Sequence, residues 1–339
     1  LSLSKMLKIF LLFLVISNSG IANEINLFTS RHYESDVKLF KKFTNQTGIS
    51  VNVISGKSKI LEKRILEEGN NSTADILFLA DAGALYSAQN KNLFSKIKSE
   101  IIRKKVPSTL RNDYWVGITK RSRILFYNPN ILSRKEIEQI SYEDLSDKKW
   151  LDSIAVRQSN NIYNQSLIAS MLEHNGIKKT KKWLKGLVKN FARPPQGNDR
   201  AQILMVASGG AKLAIANSYY YELMLSGKKG IEQKKAAEKV IPIFPNQLNR
   251  GTHINISGAG ILKFSRNKKN AEKFLEFLLT NDSQSEFCSN SFEYPIIEDE
   301  EISKSIYKTN FKQDTSIDVS VYGKRQAEAF KLMKQAGWN

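Results

Sequence analysis

The apolar residues of the first hundred positions follow two different periods in alternation. Short apolar runs, typical of buried strands, alternate with stretches in which apolar residues recur every three or four positions, as on one face of a helix. The pattern predicts strands at 25–30, 50–54 and 75–79, and helices at 35–47, 59–68 and 83–90. Strands that alternate with helices indicate βαβ units and therefore a largely parallel α/β sheet.

A second α/β unit follows after a change of pattern. Positions 114–119 and 123–127 predict two separate strands. Beyond them the pattern predicts strands at 153–157, 212–216, 240–244 and 254–262, and helices at 164–175, 178–190, 198–208, 267–280, 282–289 and 321–336. This order predicts two α/β lobes that share more than one crossover. We expect the first lobe to comprise 23–118 plus about 250–300, and the second 119–249 plus about 301–339.

The first 22 residues have the pattern of a secretory signal peptide rather than of a folded element. Lys5 and Lys8 precede the short apolar stretch 9–16, and a run of small and polar residues leads to Ala22, after which cleavage is expected. The apolar stretch is short for a membrane span, which takes about 20 residues. An uncleaved N-terminal anchor is the alternative. Export across the inner membrane predicts a periplasmic location.

The amino-acid composition argues against several classes of binding partner and of metal site. Residues 23–339 carry a formal charge of +17, because the first 22 residues contain two lysines and no acidic residue. The basic residues are scattered and form no nucleic-acid motif, so nucleic acid is not expected as a partner. Cys288 is the only cysteine and there are three histidines. Cysteine-based and multi-histidine metal sites are therefore not expected.

Three consecutive tyrosines, 219–221, stand where the strand at 212–216 gives way to a helix, with Asn217 and Ser218 as candidate N-caps. Tyr33 and Tyr163 also follow predicted strands, and ligands of open α/β sheets gather outside the carboxyl ends of strands. A phenolate is a hard oxygen donor suited to a highly charged cation such as ferric iron. Core packing is the alternative interpretation of the triplet.

The sequence resembles the periplasmic ferric-iron-binding proteins of ABC transporters, specifically the cyanobacterial FutA type. The resemblance covers nearly the whole chain after residue 22. It rests on the segments NLFTSRHYESD, DILFLADAGALY, GITKRSRILFYNP, RQSNNIYNQS and AIANSYYYELM. The resemblance implies a two-lobed periplasmic-binding-protein fold of type II. In that fold crossing strands join the lobes and the ligand cleft lies between them.

The resemblance also implies a ferric ion held by tyrosinates from both lobes. By this resemblance, the matching motifs assign the role of iron ligand to four tyrosines of this sequence, Tyr33, Tyr163, Tyr219 and Tyr220. Tyr221 is extra to the motif and is expected to pack. Arg123 stands where the family keeps a basic residue near the metal.

The charge of the site needs compensation, because four phenolates exceed the charge of one ferric ion. Arg31, Arg123 and His32 are the candidates to offset the excess. His32 is also a candidate ligand, whereas His174 and His253 are expected to serve structure. A coordinated carbonate or citrate is not required by this donor set. Ferrous iron stays open as a second oxidation state, and we expect ferric iron to bind more tightly.

These expectations describe a binding protein rather than an enzyme. We expect a monomer that captures ferric iron and presents it to an ABC permease in the cytoplasmic membrane. No nucleophile-elbow, zinc-protease or phosphate-loop motif is present in the sequence. The alternative keeps the bilobal fold but changes the ligand to an anion, a polyamine or a sugar.

Overall fold

A computed structural model describes residues 23–31, 33–299, 302 and 310–339. The expected signal peptide at 1–22 and the candidate ligand His32 lie outside the described residues. Within the described part of the chain, no helix has both the length and the apolar character that crossing a membrane requires.

The strands and helices alternate through most of the chain. The strands are β1 Glu24–Thr29, β2 Ser50–Ser55, β3 Ile76–Leu79, β4 Val116–Tyr127, β5 Ile154–Ala155, β6 Leu213–Asn217, β7 Ile241–Ile243, β8 Ile254–Ile261 and β9 Tyr294–Pro295. The helices are α1 Glu34–Thr47, α2 Ser58–Glu68, α3 Ala82–Asn90, α4 Glu100–Lys105, α5 Ile162–Lys189, α6 Asp199–Ala207, α7 Ser218–Leu225, α8 Ile231–Ala237, α9 Lys268–Leu278, α10 Asn281–Ser291, α11 Ser320–Lys324 and α12 Gln326–Gln335.

The sheet has two halves that share one long strand. Its order is β2-β1-β3-β8-β4-β6-β5, and β7 and β9 also pair with β4. The first half holds β1, β2 and β3, which are parallel, and β8, which is antiparallel to β3. Strand β8 pairs with 116–122 of β4, whereas β6 and β7 pair with 123–127. The backbone of β4 therefore passes directly from one half of the molecule into the other.

The expectation of two strands at 114–119 and 123–127 is wrong, because β4 is continuous. The polar residues Lys120, Arg121 and Ser122 suggested a break between two apolar runs. In the structure they pair with Ile256, Asn255 and Ile254 of β8. The polar residues thus mark the crossing between the two halves rather than a turn.

Two further elements differ in detail from the sequence pattern. Helix α5 spans both of the predicted helices 164–175 and 178–190, and Gly176 divides it with φ 71° and ψ 170°. That positive φ is the conformation that glycine adopts without strain. The predicted helix 321–336 is instead two helices, α11 and α12, which meet at Arg325.

Buried apolar side chains surround the strand that leads to the tyrosine triplet. Strand β6 is buried along its whole length. A cluster that includes Ile124, Phe126, Ile203 and Val206 packs against Ala214 and Ala216 of β6. Helix α7 begins at Ser218, directly after this strand. Packing therefore fixes the position from which Tyr219 and Tyr220 project.

Candidate metal site between the two halves

Four tyrosines from separate parts of the chain meet where the two halves face each other. Tyr33 lies between β1 and α1, and its ring centroid is 6.4 Å from that of Tyr219 with the ring planes 85° apart. The ring centroids of Tyr219 and Tyr220 are 4.2 Å apart with an interplanar angle of 31°. Both are in the first turn of α7. The structure therefore brings the first-half and second-half tyrosines into contact.

Tyr163 completes the group from the first turn of α5. The Oδ1 atom of Asn161 accepts hydrogen bonds from the backbone N–H groups of Tyr163 and Asn164, which caps the helix. The guanidinium carbon of Arg121 lies 5.1 Å from the Tyr163 ring centroid, and that of Arg157 lies 5.9 Å away. Tyr163 is close enough to the other three tyrosines to influence their pKa values.

Tyr33, Tyr219 and Tyr220 are held in their neutral form when no cation is near. Burial, together with the charge of Glu293, raises the pKa of Tyr33 well above its usual value. Burial and the neighbouring tyrosines raise the pKa of Tyr219 well above its usual value and also raise that of Tyr220. Several phenolates so close together repel one another. They are stable together only around a cation that supplies the opposite charge.

Arg31 anchors Tyr33 within the first half. Its Nε donates to Asp36 Oδ2 at 2.7 Å and its Nη1 donates to Glu293 Oε2 at 2.5 Å. Its guanidinium carbon lies 4.7 Å from the Tyr33 ring centroid. A guanidinium placed over an aromatic face is attracted to the ring. Arg31 therefore lies against the Tyr33 ring, and Asp36 and Glu293 balance its charge.

Sequence reasoning missed Arg121 and Glu293. The Nη1 atom of Arg121 donates to Ser257 Oγ at 2.8 Å and lies 3.4 Å from Glu293 Oε1. Burial alone raises the pKa of Glu293, but Arg31 and Arg121 together bring it below its usual value. Glu293 thus joins the arginine beside Tyr33 to the arginine beside Tyr163.

Arg123 lies beside the tyrosine-bearing segments, where three polar side chains hold it. Its Nη1 donates to Asp199 Oδ1 at 3.1 Å and to Asn217 Oδ1 at 2.9 Å, and its Nη2 donates to Asn164 Oδ1 at 2.6 Å. These hydrogen bonds hold Asn164, which is next to Tyr163, and Asn217, which is two residues before Tyr219. Arg123 therefore braces both tyrosine-bearing segments, while Arg121 is the arginine stacked on Tyr163.

Of the two residues expected as N-caps, only Asn217 occupies that position. Asn217 is the N-cap residue of α7, but its side chain makes no capping hydrogen bond. Its Oδ1 atom accepts from Arg123 instead. Ser218 is the first residue of the helix rather than its cap.

Tyr221 lies outside the group. Its hydroxyl donates to the carbonyl oxygen of Val240 at 3.0 Å, and its ring centroid is 5.4 Å from that of Phe126. Tyr221 therefore packs against the second half, as expected. Its adjacent position makes it a natural control for Tyr219 and Tyr220.

The remaining groups argue against a conventional metal centre. No group of three or more histidine, cysteine, aspartate or glutamate side chains able to hold a metal occurs among the described residues. His174 pairs with Asp314 at 2.6 Å and His253 packs on the Tyr322 ring. A small space beside Tyr163 is lined by Arg121, Arg123, Asn217, His253 and Asn255.

Comparison with known proteins agrees with this architecture. Residues 38–313 match the family model for bacterial extracellular solute-binding proteins. Iron uptake protein A1 of Synechocystis is 43% identical over 96% of this chain and 90% of its own length. The major ferric iron-binding protein of Neisseria meningitidis serogroup A is 30% identical over 80% of this chain and 81% of its own length.

Solved structures show the same similarity in three dimensions. Trichodesmium FutA (IdiA), in complex with iron and citrate, matches with a TM-score of 0.87 and 44% identity over 93% of this chain and all of that one. Apo FutA2 of Synechocystis matches with a TM-score of 0.85 and 39% identity over 94% of this chain and all of that one. The expected two-lobed α/β fold and the resemblance to the FutA type are confirmed. The chain is a member of the bacterial extracellular solute-binding protein family.

Proposed function

We propose that this protein captures ferric iron through Tyr33, Tyr163, Tyr219 and Tyr220 and delivers it to an ABC import permease. The observation that carries the proposal is the meeting of these four phenols from both halves of the molecule, with Tyr33 in ring contact with Tyr219. The names of the relatives, which describe iron uptake and ferric-iron binding, support the same ligand.

The charges around the site favour a trivalent ion. Four phenolates exceed the charge of a ferric ion by one. Arg123 and Arg157 share the single carboxylate of Asp199, with Nη1-to-oxygen distances of 3.1 Å each, which leaves one positive charge in excess. A ferrous ion would leave a further negative charge uncompensated at a buried site, and burying such a charge is unfavourable. Ferric iron is therefore the tighter ligand.

Lobe closure and iron binding form one event in this proposal. The first lobe comprises 23–118 and about 250–300, and the second 119–249 and about 301–339. Tyr33 belongs to the first lobe and the other three tyrosines to the second. Strands β4 and β8 run between the lobes, so changes of backbone torsion there would let the cleft open and close.

The location and the partner follow from the class of protein. Residues 1–22 direct export and are removed, and the mature chain works as a monomer in the periplasm. It binds its cargo and performs no chemical reaction on it. Its family of extracellular solute-binding proteins supports this assignment. The partner is the permease of an ABC transporter, which receives the iron when the lobes open.

Visible spectroscopy of the purified protein, with metal content by mass spectrometry, tests the ligand. Ferric iron bound to phenolates produces a charge-transfer band. We expect the purified protein to show this band and to contain one iron ion per chain. The double variant Tyr219→Phe with Tyr220→Phe should lose the band and the tight binding, whereas Tyr221→Phe should keep both. Tight iron binding by the double variant would contradict the proposal. Calorimetry with an anion, a polyamine and a sugar tests the alternative ligands.

A further inference from the structure

The second part of α5 carries an unusually dense group of lysines. Between Glu173 and Asp199 the sequence contains six lysines and one arginine but no acidic residue. The lysines are Lys178, Lys179, Lys181, Lys182, Lys185 and Lys189, and all six are exposed. In the described part of the chain none of them is paired with a carboxylate. We call Lys178, Lys182, Lys185 and Lys189 the lysine row.

The lysine row runs along the outward face of the helix. At about 100° per residue, its four members fall within an arc of about 60°. The buried residues Thr180, Trp183, Leu184 and Leu187 lie on the opposite side. The row extends for about 16 Å along the helix axis. The lysines therefore present their charges together, in one direction, to the solvent.

This arrangement is unfavourable for the isolated helix. Lys178 and Lys182 are four residues apart, as are Lys185 and Lys189, and like charges at this spacing destabilise a helix by about 0.2–0.5 kcal/mol per pair. Carboxylates at neighbouring positions would remove this repulsion, but the segment contains none. An anionic binding partner would remove it as well.

The lysine row lies away from the tyrosine site. The backbone of Asn190, which follows the row, bonds to Ser153 and Ile154 at the start of β5. Tyr163 follows the opposite end of that strand. Helix α12 runs beside α5, with Arg325 bonded to Glu173 at one end and Trp338 packed on Phe191 at the other. A surface bound to the row would therefore leave the tyrosine site unobstructed.

We propose that the lysine row binds the surface of an anionic phospholipid bilayer. Lysine is a compact point charge on a flexible stem, whereas recognition of a single carboxylate or phosphate in a fixed geometry favours arginine. A row of lysines without arginine suits the diffuse field of an anionic membrane, where each basic residue contributes about 1 kcal/mol. The formal charge of +17 on residues 23–339 adds a long-range attraction. The second lobe would thereby concentrate the protein at the membrane.

Flotation with lipid vesicles tests the proposal on residues 23–339. The probes are vesicles of phosphatidylcholine alone and vesicles that contain 30% phosphatidylglycerol. The test variant changes the four residues of the lysine row to glutamine. A control variant changes Lys41, Lys59, Lys269 and Lys273, which are exposed on α1, α2 and α9, and so has the same net charge. Circular dichroism and the iron charge-transfer band check that both variants fold and keep the tyrosine site.

The wild-type protein should bind the anionic vesicles at low salt and be released at high salt. The lysine-row variant should bind on the order of 1,000-fold more weakly, whereas the control variant should change by less than about fivefold. Equal loss in the two variants would overturn the proposal, because net charge alone would then explain the binding. Absence of wild-type binding to anionic vesicles would also overturn it, and row-dependent binding to poly-glutamate in that case would indicate an acidic protein partner instead. Neither result would bear on iron capture, which the charge-transfer band measures separately.

Discussion

Tyr33 stands alone on its side of the site, whereas Tyr163, Tyr219 and Tyr220 lie together on the other side. The first-half side is anchored by Arg31, which binds Asp36 and Glu293. The second-half tyrosines are braced by Arg123 through Asn164 and Asn217. In the proposed function, the three donors on one side hold the ion before closure, and the fourth couples closure to binding. The unequal division is the basis for proposing that the second half captures the ion and that Tyr33 drives closure.

The largest effect is expected from removing two of the three second-half donors. In the double variant Tyr219→Phe with Tyr220→Phe, iron affinity should fall at least about 1,000-fold, since even outer-shell changes typically reduce metal affinity 10–100-fold. Competition with a chelator of known affinity measures the change. Tyr221→Phe is the matched control and should differ from wild type by less than about threefold, because its hydroxyl binds Val240 outside the site.

The next effect concerns the network that joins the two sides. Glu293→Gln removes the carboxylate shared by Arg31 and Arg121 and leaves two buried guanidinium groups with less compensation. We expect the free energy of unfolding to fall by about 3 kcal/mol, as when one partner of a buried ion pair is removed. Denaturant unfolding measures it, with the exposed Glu238→Gln as control. Equal stability of the two variants would show that Glu293 does not hold the sides together.

Removing Tyr33 separates capture from closure. Tyr33→Phe keeps three phenolate donors, so it should retain a charge-transfer band while iron affinity falls about 100-fold. Small-angle X-ray scattering should show that iron no longer makes this variant more compact. If the variant still contracts fully with iron, Tyr33 does not couple binding to closure.

The smallest effect concerns His253, which directly precedes β8. Burial, with contributions from Arg123, Arg250 and Arg121, lowers the pKa of His253 to about 3, although Asp314 acts in the opposite direction. Between that value and the usual pKa of about 6.5, the unfolded chain binds a proton that the folded chain does not. This histidine therefore reduces stability as the pH falls.

The matching experiment compares wild type with His253→Gln between pH 7 and pH 5. The wild-type protein should lose on the order of 1–2 kcal/mol more unfolding free energy than the variant over this range. Chemical denaturation at both pH values measures the difference. Parallel pH dependence of the two proteins would mean that His253 is not buried in its neutral form.

The sequence predicted most helices and strands because their apolar periods are clear, but it divided β4 wrongly. Lys120 and Arg121 resemble a turn when they are considered without β8, which contributes the pairing partners from more than 130 positions away. Arg121 and Arg123 are two residues apart in one strand, so both point to the same face. Because Arg123 was already a candidate, this two-residue spacing indicates Arg121 as a further candidate for the site.

The sequence motifs were sufficient to predict the tyrosine group, but they did not predict the charged residues around it. Tyr33, Tyr163 and the triplet each follow a strand, and a general rule places ligands there. Glu293 is separated from Arg31 by 262 positions, and no local pattern joins them. Long-range ion pairs of this kind depend on the folded arrangement, so only the structure reveals them.

The most direct test of the central claim is an anomalous difference map at the iron absorption edge, from crystals of the iron-loaded protein. The account predicts one strong peak within coordination distance of the phenol oxygens of Tyr33, Tyr163, Tyr219 and Tyr220. A peak in the closed protein that lacks contact with Tyr33, or that lies away from this group, would contradict it.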